Sequence, residues 1–225
     1  NQPGGCKGVC DRVPMVNTSA EKDPAFCPAG ECHDEILLKN LDARIAALPA
    51  DRRARGVVVV LHQMGSHGPA YSLRTPQAFK RFQPECRSAH LPDCDAQSLR
   101  NAYDNTIAYT DHVLGRAIDW LRQQPAYDTG LVYLADHGES LGENNIYLHG
   151  MPYALAPDVQ KHIPWVTWLS PAFERRAGVT LDCLRKRADT KITHDHLFHS
   201  ILGLMQVRTQ VYERTLDAYA GCAPA

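Results

Sequence analysis

Two short aliphatic runs end abruptly in polar residues, and this feature constrains the fold more than any other. Val57-Val58-Val59-Val60-Leu61 stops at His62, and residues 131–135 run straight into Asp136-His137-Gly138-Glu139. Runs of this kind carry no alternating polar positions. They suit strands buried on both faces, the habit of a parallel sheet with helices on either side. Helical periods surround them. Ile36, Leu37, Leu41, Ile45 and Leu48 predict a helix over 34–48, ended by Pro49. Leu99, Tyr103, Ile107, Val113, Leu114, Ala117, Ile118 and Leu121 predict a longer one over 98–124. A third strand is expected over 163–169, with Pro164 at its start. A closing helix is expected over 194–207, capped by Asp189, Thr190 or Thr193. The alternation predicts an α/β fold with a mostly parallel central sheet flanked by helices. In such sheets ligands gather beyond the carboxyl ends of the strands, where both aliphatic runs end beside histidine.

Length and charge narrow the possibilities. A chain of 225 residues fits a single domain over 1–225, and a formal net charge of −1 offers no field to draw it to nucleic acid. The longest aliphatic run is far too short to span a bilayer. The opening Asn1-Gln2-Pro3-Gly4-Gly5 reads as the middle of a loop, so the chain is expected to be a piece of a longer protein. The eight cysteines are Cys6, Cys10, Cys27, Cys32, Cys86, Cys94, Cys183 and Cys222. Parity and closeness along the chain favour pairing 6 with 10, 27 with 32 and 86 with 94; Cys183 and Cys222 remain and could tie the C-terminal tail to the body, all in an oxidising compartment. Zinc knuckles or free thiols are the alternative, weakened by the absence of any Cys-x2-Cys pair.

The chemistry concentrates at the strand ends. Asp136 and His137 offer a hard oxygen and an imidazole nitrogen, both suited to zinc, and Gly138 lets the chain turn close by. His67 lies in Gly65-Ser66-His67-Gly68-Pro69, and His149 in Leu148-His149-Gly150. Together Asp136, His137, His67 and His149 form a candidate metal centre, although a His-Gly step is more often a simple turn. His90, His112 and His162 read as surface or helix residues. His194, His196 and His199 crowd one helix start and read as a turn packed on the core rather than as ligands. Lys7 could meet a phosphate as a point charge, but its spacing alone favours a solvated loop lysine.

The strings VVVVLHQMGSHGPAY, SLRNAYDNTIAYTDHVL, LVYLADHGESLGENNIYLHGMP and GGCKGVCDRVP resemble the lipid A phosphoethanolamine transferases, a family that includes the mobile colistin-resistance enzymes. The resemblance extends from about Gly4 to about Leu204. It implies an alkaline phosphatase/sulfatase-like fold, in a periplasmic catalytic domain stapled by disulfides and anchored in the inner membrane by an N-terminal region. It implies transfer of phosphoethanolamine from phosphatidylethanolamine to a threonine and then to a lipid A phosphate, with zinc as cofactor and polymyxin resistance as the consequence. By the match, Asp136 and His137 are ligands of the catalytic zinc. His67 and His149 contact the phosphoryl group, as catalytic residues, or hold a second zinc. Lys7 and Glu139 bind substrate. The family's threonine nucleophile and a glutamate zinc ligand would lie before this chain begins. The chain is therefore expected to be an N-terminally incomplete, monomeric portion of the domain, inactive and poorly folded alone. A metal-dependent hydrolase of the same fold is one alternative; a non-catalytic, disulfide-rich periplasmic binding module or an inactive truncated fragment without the threonine is the other. The formylglycine pattern Cys-x-Pro-x-Arg of one such group is absent.

Overall fold

The computed structural model describes residues 8, 10–28 and 30–223. In chain order its helices and strands are α1 (Leu41–Ala46), α2 (Ala50–Arg53), α3 (Ala96–Arg122), β1 (Gly130–Leu134), β2 (Ser140–Leu141), β3 (Tyr147–Leu148), α4 (Asp158–Lys161), β4 (Trp165–Leu169), α5 (Pro171–Ala177), α6 (Leu181–Lys186) and α7 (Asp195–Leu204). They divide between two compact units. The first runs to Ala117 and resumes over His137–His162; the second comprises Ile118–Asp136 and the chain from Ile163 onward.

In the first unit, α3 supplies the wall on which the loops rest. Asp95 starts it: one carboxylate oxygen accepts from the N–H groups of Gln97 and Ser98 at 3.0 and 2.9 Å, and these bonds hold its pKa below the usual value. Leu99, Ala102, Tyr109, Val113 and Ala117 form a buried stripe at helical spacing. The stripe is wider and more polar than periodicity suggests. Ile107, expected inside, is 47 % exposed, whereas Asn101, Asn105 and Thr106 are buried. The asparagines face in because the neighbouring loop needs them. Asn105 accepts from the N–H of Phe82 at 2.9 Å and donates to the carbonyl of Phe82 at 3.0 Å, and Asn101 donates to the carbonyl of Pro84 at 2.8 Å. The helix expected over 34–48 is broken. A 3₁₀ turn over Asp34–Leu38 ends before Asn40, whose φ of 59° is left-handed, and α1 begins afresh. Asparagine tolerates that conformation, so one apolar period spans two pieces.

The second unit rests on an antiparallel ladder, Gly130 paired with Leu169 through Leu134 with Trp165. Gly130 allows close packing: a Cβ there would lie 3.0 Å from Leu169 Cδ2. Leu169, Phe173, Val179, Leu204 and Tyr219 make its core. Each buried aliphatic or aromatic side chain contributes roughly 1.5–3 kcal/mol relative to exposure. Ser170 caps α5 by accepting from Phe173 N–H at 3.2 Å, and Gly178 closes it at φ 68°. Thr180 caps α6 in the same way. None of the residues expected to cap α7 does so through its side chain; His194 occupies that position.

Two expectations about the sheet are corrected. Among the described residues both ladders, β1–β4 and β2–β3, are antiparallel, where a mostly parallel sheet was expected. An unbroken apolar run carries no information on strand direction, and β1 itself is only half-buried along its length. Nor do residues 57–61 form a strand: Val58 is 55 % and Val60 83 % exposed, and the described residues hold no ladder partner for them. The disulfides match expectation at Cys27–Cys32, Cys86–Cys94 and Cys183–Cys222. Cys10 is disulfide-bonded, and Cys6 lies outside the described residues.

Candidate functional site

His67, His137 and His149 come together in the first unit. Each offers a ring nitrogen within 4.8 Å of those of the other two. The rings of His137 and His149 stack with centroids 3.7 Å apart, and His67 meets His149 edge-on at 5.0 Å. Three separate segments are therefore folded onto one point, and each is held by identifiable bonds.

The loop bearing His67 is pinned from several sides. The buried carboxylate of Asp34 accepts from the N–H groups of Met64 and Gly65 at 2.9 and 2.7 Å. Thr106 donates to Ser66 Oγ at 2.7 Å, and Arg74 Nε donates to the carbonyl of His67 at 3.0 Å. Gly68 is required because a Cβ there would lie 2.7 Å from the Tyr71 hydroxyl. The segment bearing His137 is sealed at Gly138, whose N–H donates to the carbonyl of Gln160 at 3.0 Å and where any Cβ would fall 2.0 Å from the carbonyl oxygen of Val159. The β2–β3 hairpin positions His149. Its register pairs Ser140 with Leu148, so Glu139 and His149 are the next residues out on the two strands. The hairpin turns through Gly142, Asn144 and Asn145, all at positive φ.

The hydrogen bonds also settle where the ring protons sit. His67 Nδ1 lies 2.7 Å from the carbonyl of Gly68, and His137 Nδ1 lies 3.0 Å from that of Gly138. A carbonyl only accepts, so each Nδ1 donates, and in the neutral ring Nε2 is the atom that carries the electron pair. His149 Nδ1 lies 2.9 Å from Glu139 Oε1. Glu139 is buried, and its other oxygen accepts from the Tyr71 hydroxyl at 3.0 Å. Burial first, and the adjacent carboxylate second, push the Tyr71 phenol far above its ordinary pKa, so it donates at any physiological pH. Three imidazoles, each with Nδ1 bonded to an oxygen, are a donor set and outer shell suited to a transition metal such as zinc.

Asp136 belongs to the second unit and is not a member of the three-histidine group; the carbonyl just before it, Ala135, accepts from His194 Nε2 at 3.0 Å. Lys7 lies outside the described residues. His196 and His199 are used locally, their Nδ1 atoms accepting from the N–H groups of Thr193 and Glu213 at 3.1 and 2.9 Å. Asp34, Tyr71, Arg74 and Thr106 were not singled out from sequence. Only the Gly142-Glu143-Asn144-Asn145 turn signal, had it been read as a hairpin, pointed to the Glu139–His149 pairing.

The fold and the histidine centre define the class: the sequence profile of the sulfatase family matches residues 1–207, and the chain belongs to that family. Its particular relatives are transferases. It is 46% identical over 221 residues to phosphoethanolamine transferase EptA of Salmonella typhimurium, which covers 97% of this chain and 40% of that protein. To the phosphatidylethanolamine transferase Mcr-1 of Escherichia coli it is 39% identical over 217 residues, 93% of this chain and 38% of that one. Among solved structures, the soluble domain of lipooligosaccharide phosphoethanolamine transferase A from Neisseria meningitidis superposes with a TM-score of 0.91 at 39% identity, over 98% of this chain and 65% of that chain. The chain thus spans about two fifths of the curated relatives it matches. No helix among the described residues is long and apolar enough to cross a membrane.

Proposed function

We propose that this chain is part of the catalytic portion of a zinc-dependent phosphoethanolamine transferase. The donor would be phosphatidylethanolamine and the acceptor a lipid A phosphate, at the periplasmic face of the bacterial inner membrane. The added amine would offset negative charge on the lipid and weaken attraction for polycationic polymyxins. The observation that carries the reading is the convergence of His67, His137 and His149, lying on the very strings that resemble the transferases. The disulfides favour an oxidising compartment such as the periplasm.

In this reading Asp136 and His137 would hold the catalytic zinc, and His67 and His149 would meet the phosphoryl group or a second zinc. When bound, zinc would supply charge neutralisation on the phosphoryl oxygens and a lowered pKa for the attacking hydroxyl. The protein's own groups do the rest. His67 and His149 keep Nδ1 engaged with Gly68 and Glu139, so that Nε2 is the atom able to take up a proton and give it to the leaving alkoxide. Lys7 would pair with a phosphate oxygen. Glu139, assigned to substrate by the resemblance, has both carboxylate oxygens bonded to protein groups, which supports holding His149 over direct substrate contact. The threonine nucleophile and a further zinc ligand would come from sequence outside this chain.

The test is a chimera in which this chain replaces its counterpart in Salmonella EptA, expressed in cells without a transferase of their own. The lipid A mass spectrum should gain a phosphoethanolamine increment that Asp136→Ala and His137→Ala abolish. A folded, membrane-inserted chimera that yields no increment would overturn the reading and turn attention to hydrolysis.

A further inference from the structure

The three clustered imidazoles are not oriented by the same kind of partner. His67 and His137 bond through Nδ1 to the main-chain carbonyl of the very next residue, at 2.7 and 3.0 Å. No side-chain substitution removes those acceptors. His149 instead depends on a side chain, Glu139, at 2.9 Å. That carboxylate is itself held: its second oxygen takes the Tyr71 hydroxyl at 3.0 Å, the side chain of Glu139 is only 3 % exposed, and the β2–β3 register sets the two residues across from each other.

We propose that Glu139, backed by Tyr71, is a positioning residue that fixes the tautomer of His149, keeping its proton on Nδ1 and leaving Nε2 as the electron-pair donor. An acceptor oxygen at this point is what the ring requires; the negative charge matters less. Without an acceptor at Nδ1 nothing holds the proton there, and the ring is released to carry it on Nε2, which must then shed it before binding a metal or accepting a proton. The proposal draws on the function proposed above for the use made of that electron pair, but the tautomer is a property of the chain itself.

The experiment is nitrogen-15 NMR of the histidine-labelled full chain, free of metal and above the imidazole titration range, with zinc affinity measured by competition against a chromophoric chelator. In the unsubstituted protein His149 should be protonated on Nδ1. Glu139→Met, similar in shape but with no acceptor, should shift His149 toward the Nε2–H form and lower zinc affinity about 10- to 100-fold, while His67 and His137 keep their signals. Glu139→Gln keeps an oxygen and should keep the tautomer. An Nε2–H ring in the unsubstituted protein, or a Glu139→Met protein with His149 and zinc affinity unchanged, overturns the proposal. If Glu139→Met does not fold, the unsubstituted and Glu139→Gln spectra still decide it. A failed lipid A transfer would leave the spectra untouched, so the two readings fail separately.

Discussion

Residues 57–61 and β1 look interchangeable as sequence and end in opposite settings. Leu131 to Leu134 pair with β4, and Val132 packs on an apolar core containing Leu169, Phe173 and Tyr219. Val58 and Val60 face outward with no ladder beside them among the described residues. Around them the first unit is held by buried polar clamps: Asp34 on the His67 loop, Asn101 and Asn105 on the loop at 82–84, Glu139 on His149. The comparison teaches that apolar composition nominates a strand, while a partner decides whether it forms. In the first unit these clamps accompany a small apolar core of Tyr71, Leu91, Leu99 and Ala102.

Substitutions can break this contrast. Leu169→Ala should cost about 2–5 kcal/mol in denaturant unfolding, because Leu169 is 2 % exposed and its removal leaves a cavity; a loss below about 1 kcal/mol would mean that the ladder does not anchor a real core. Removing the Cys183–Cys222 bridge by double serine substitution should cost about 2–4 kcal/mol and lower the melting temperature. Asn105→Ala strands the backbone of Phe82 and should cost about 1–3 kcal/mol. Val60→Ser should change stability by less than about 0.5 kcal/mol; a core-sized penalty would show the run to be covered in solution.

A pH titration sharpens the contrast further, with the smallest effect. Burial against Tyr109, aided by Lys80, holds the His33 pKa below its ordinary value despite Asp34. A depressed folded pKa means that the unfolded chain binds the proton first. The contribution is present above about pH 6.5 and is lost as the pH falls through the folded pKa. Unfolding midpoints should therefore drop on mild acidification, and His33→Phe should flatten that part of the profile.

Much of the centre was legible because each histidine sits in a short glycine-bearing segment. Cys27–Cys32 and Cys86–Cys94 were legible because their partners are near neighbours in the chain, and Cys183–Cys222 because those two cysteines were left over. Other features left no local mark. Asp34 acts on main-chain N–H groups 30 residues away, and Tyr71 reaches Glu139 across 68; such bonds have no spacing to read. The inner face of α3 was misjudged at Ile107 and Asn105 because hydropathy cannot weigh a buried amide with both its bonds made. The break at Asn40 hid inside an apolar period. Direction in the β1–β4 ladder was invisible to composition.

The three described bridges share one further property: each joins cysteines consecutive along the chain. A polypeptide oxidised in the order in which it emerges into an oxidising space would meet its correct partner first every time. Native pairing would then need an oxidant but little reshuffling, and biogenesis should be more sensitive to loss of a thiol oxidase than to loss of a disulfide isomerase.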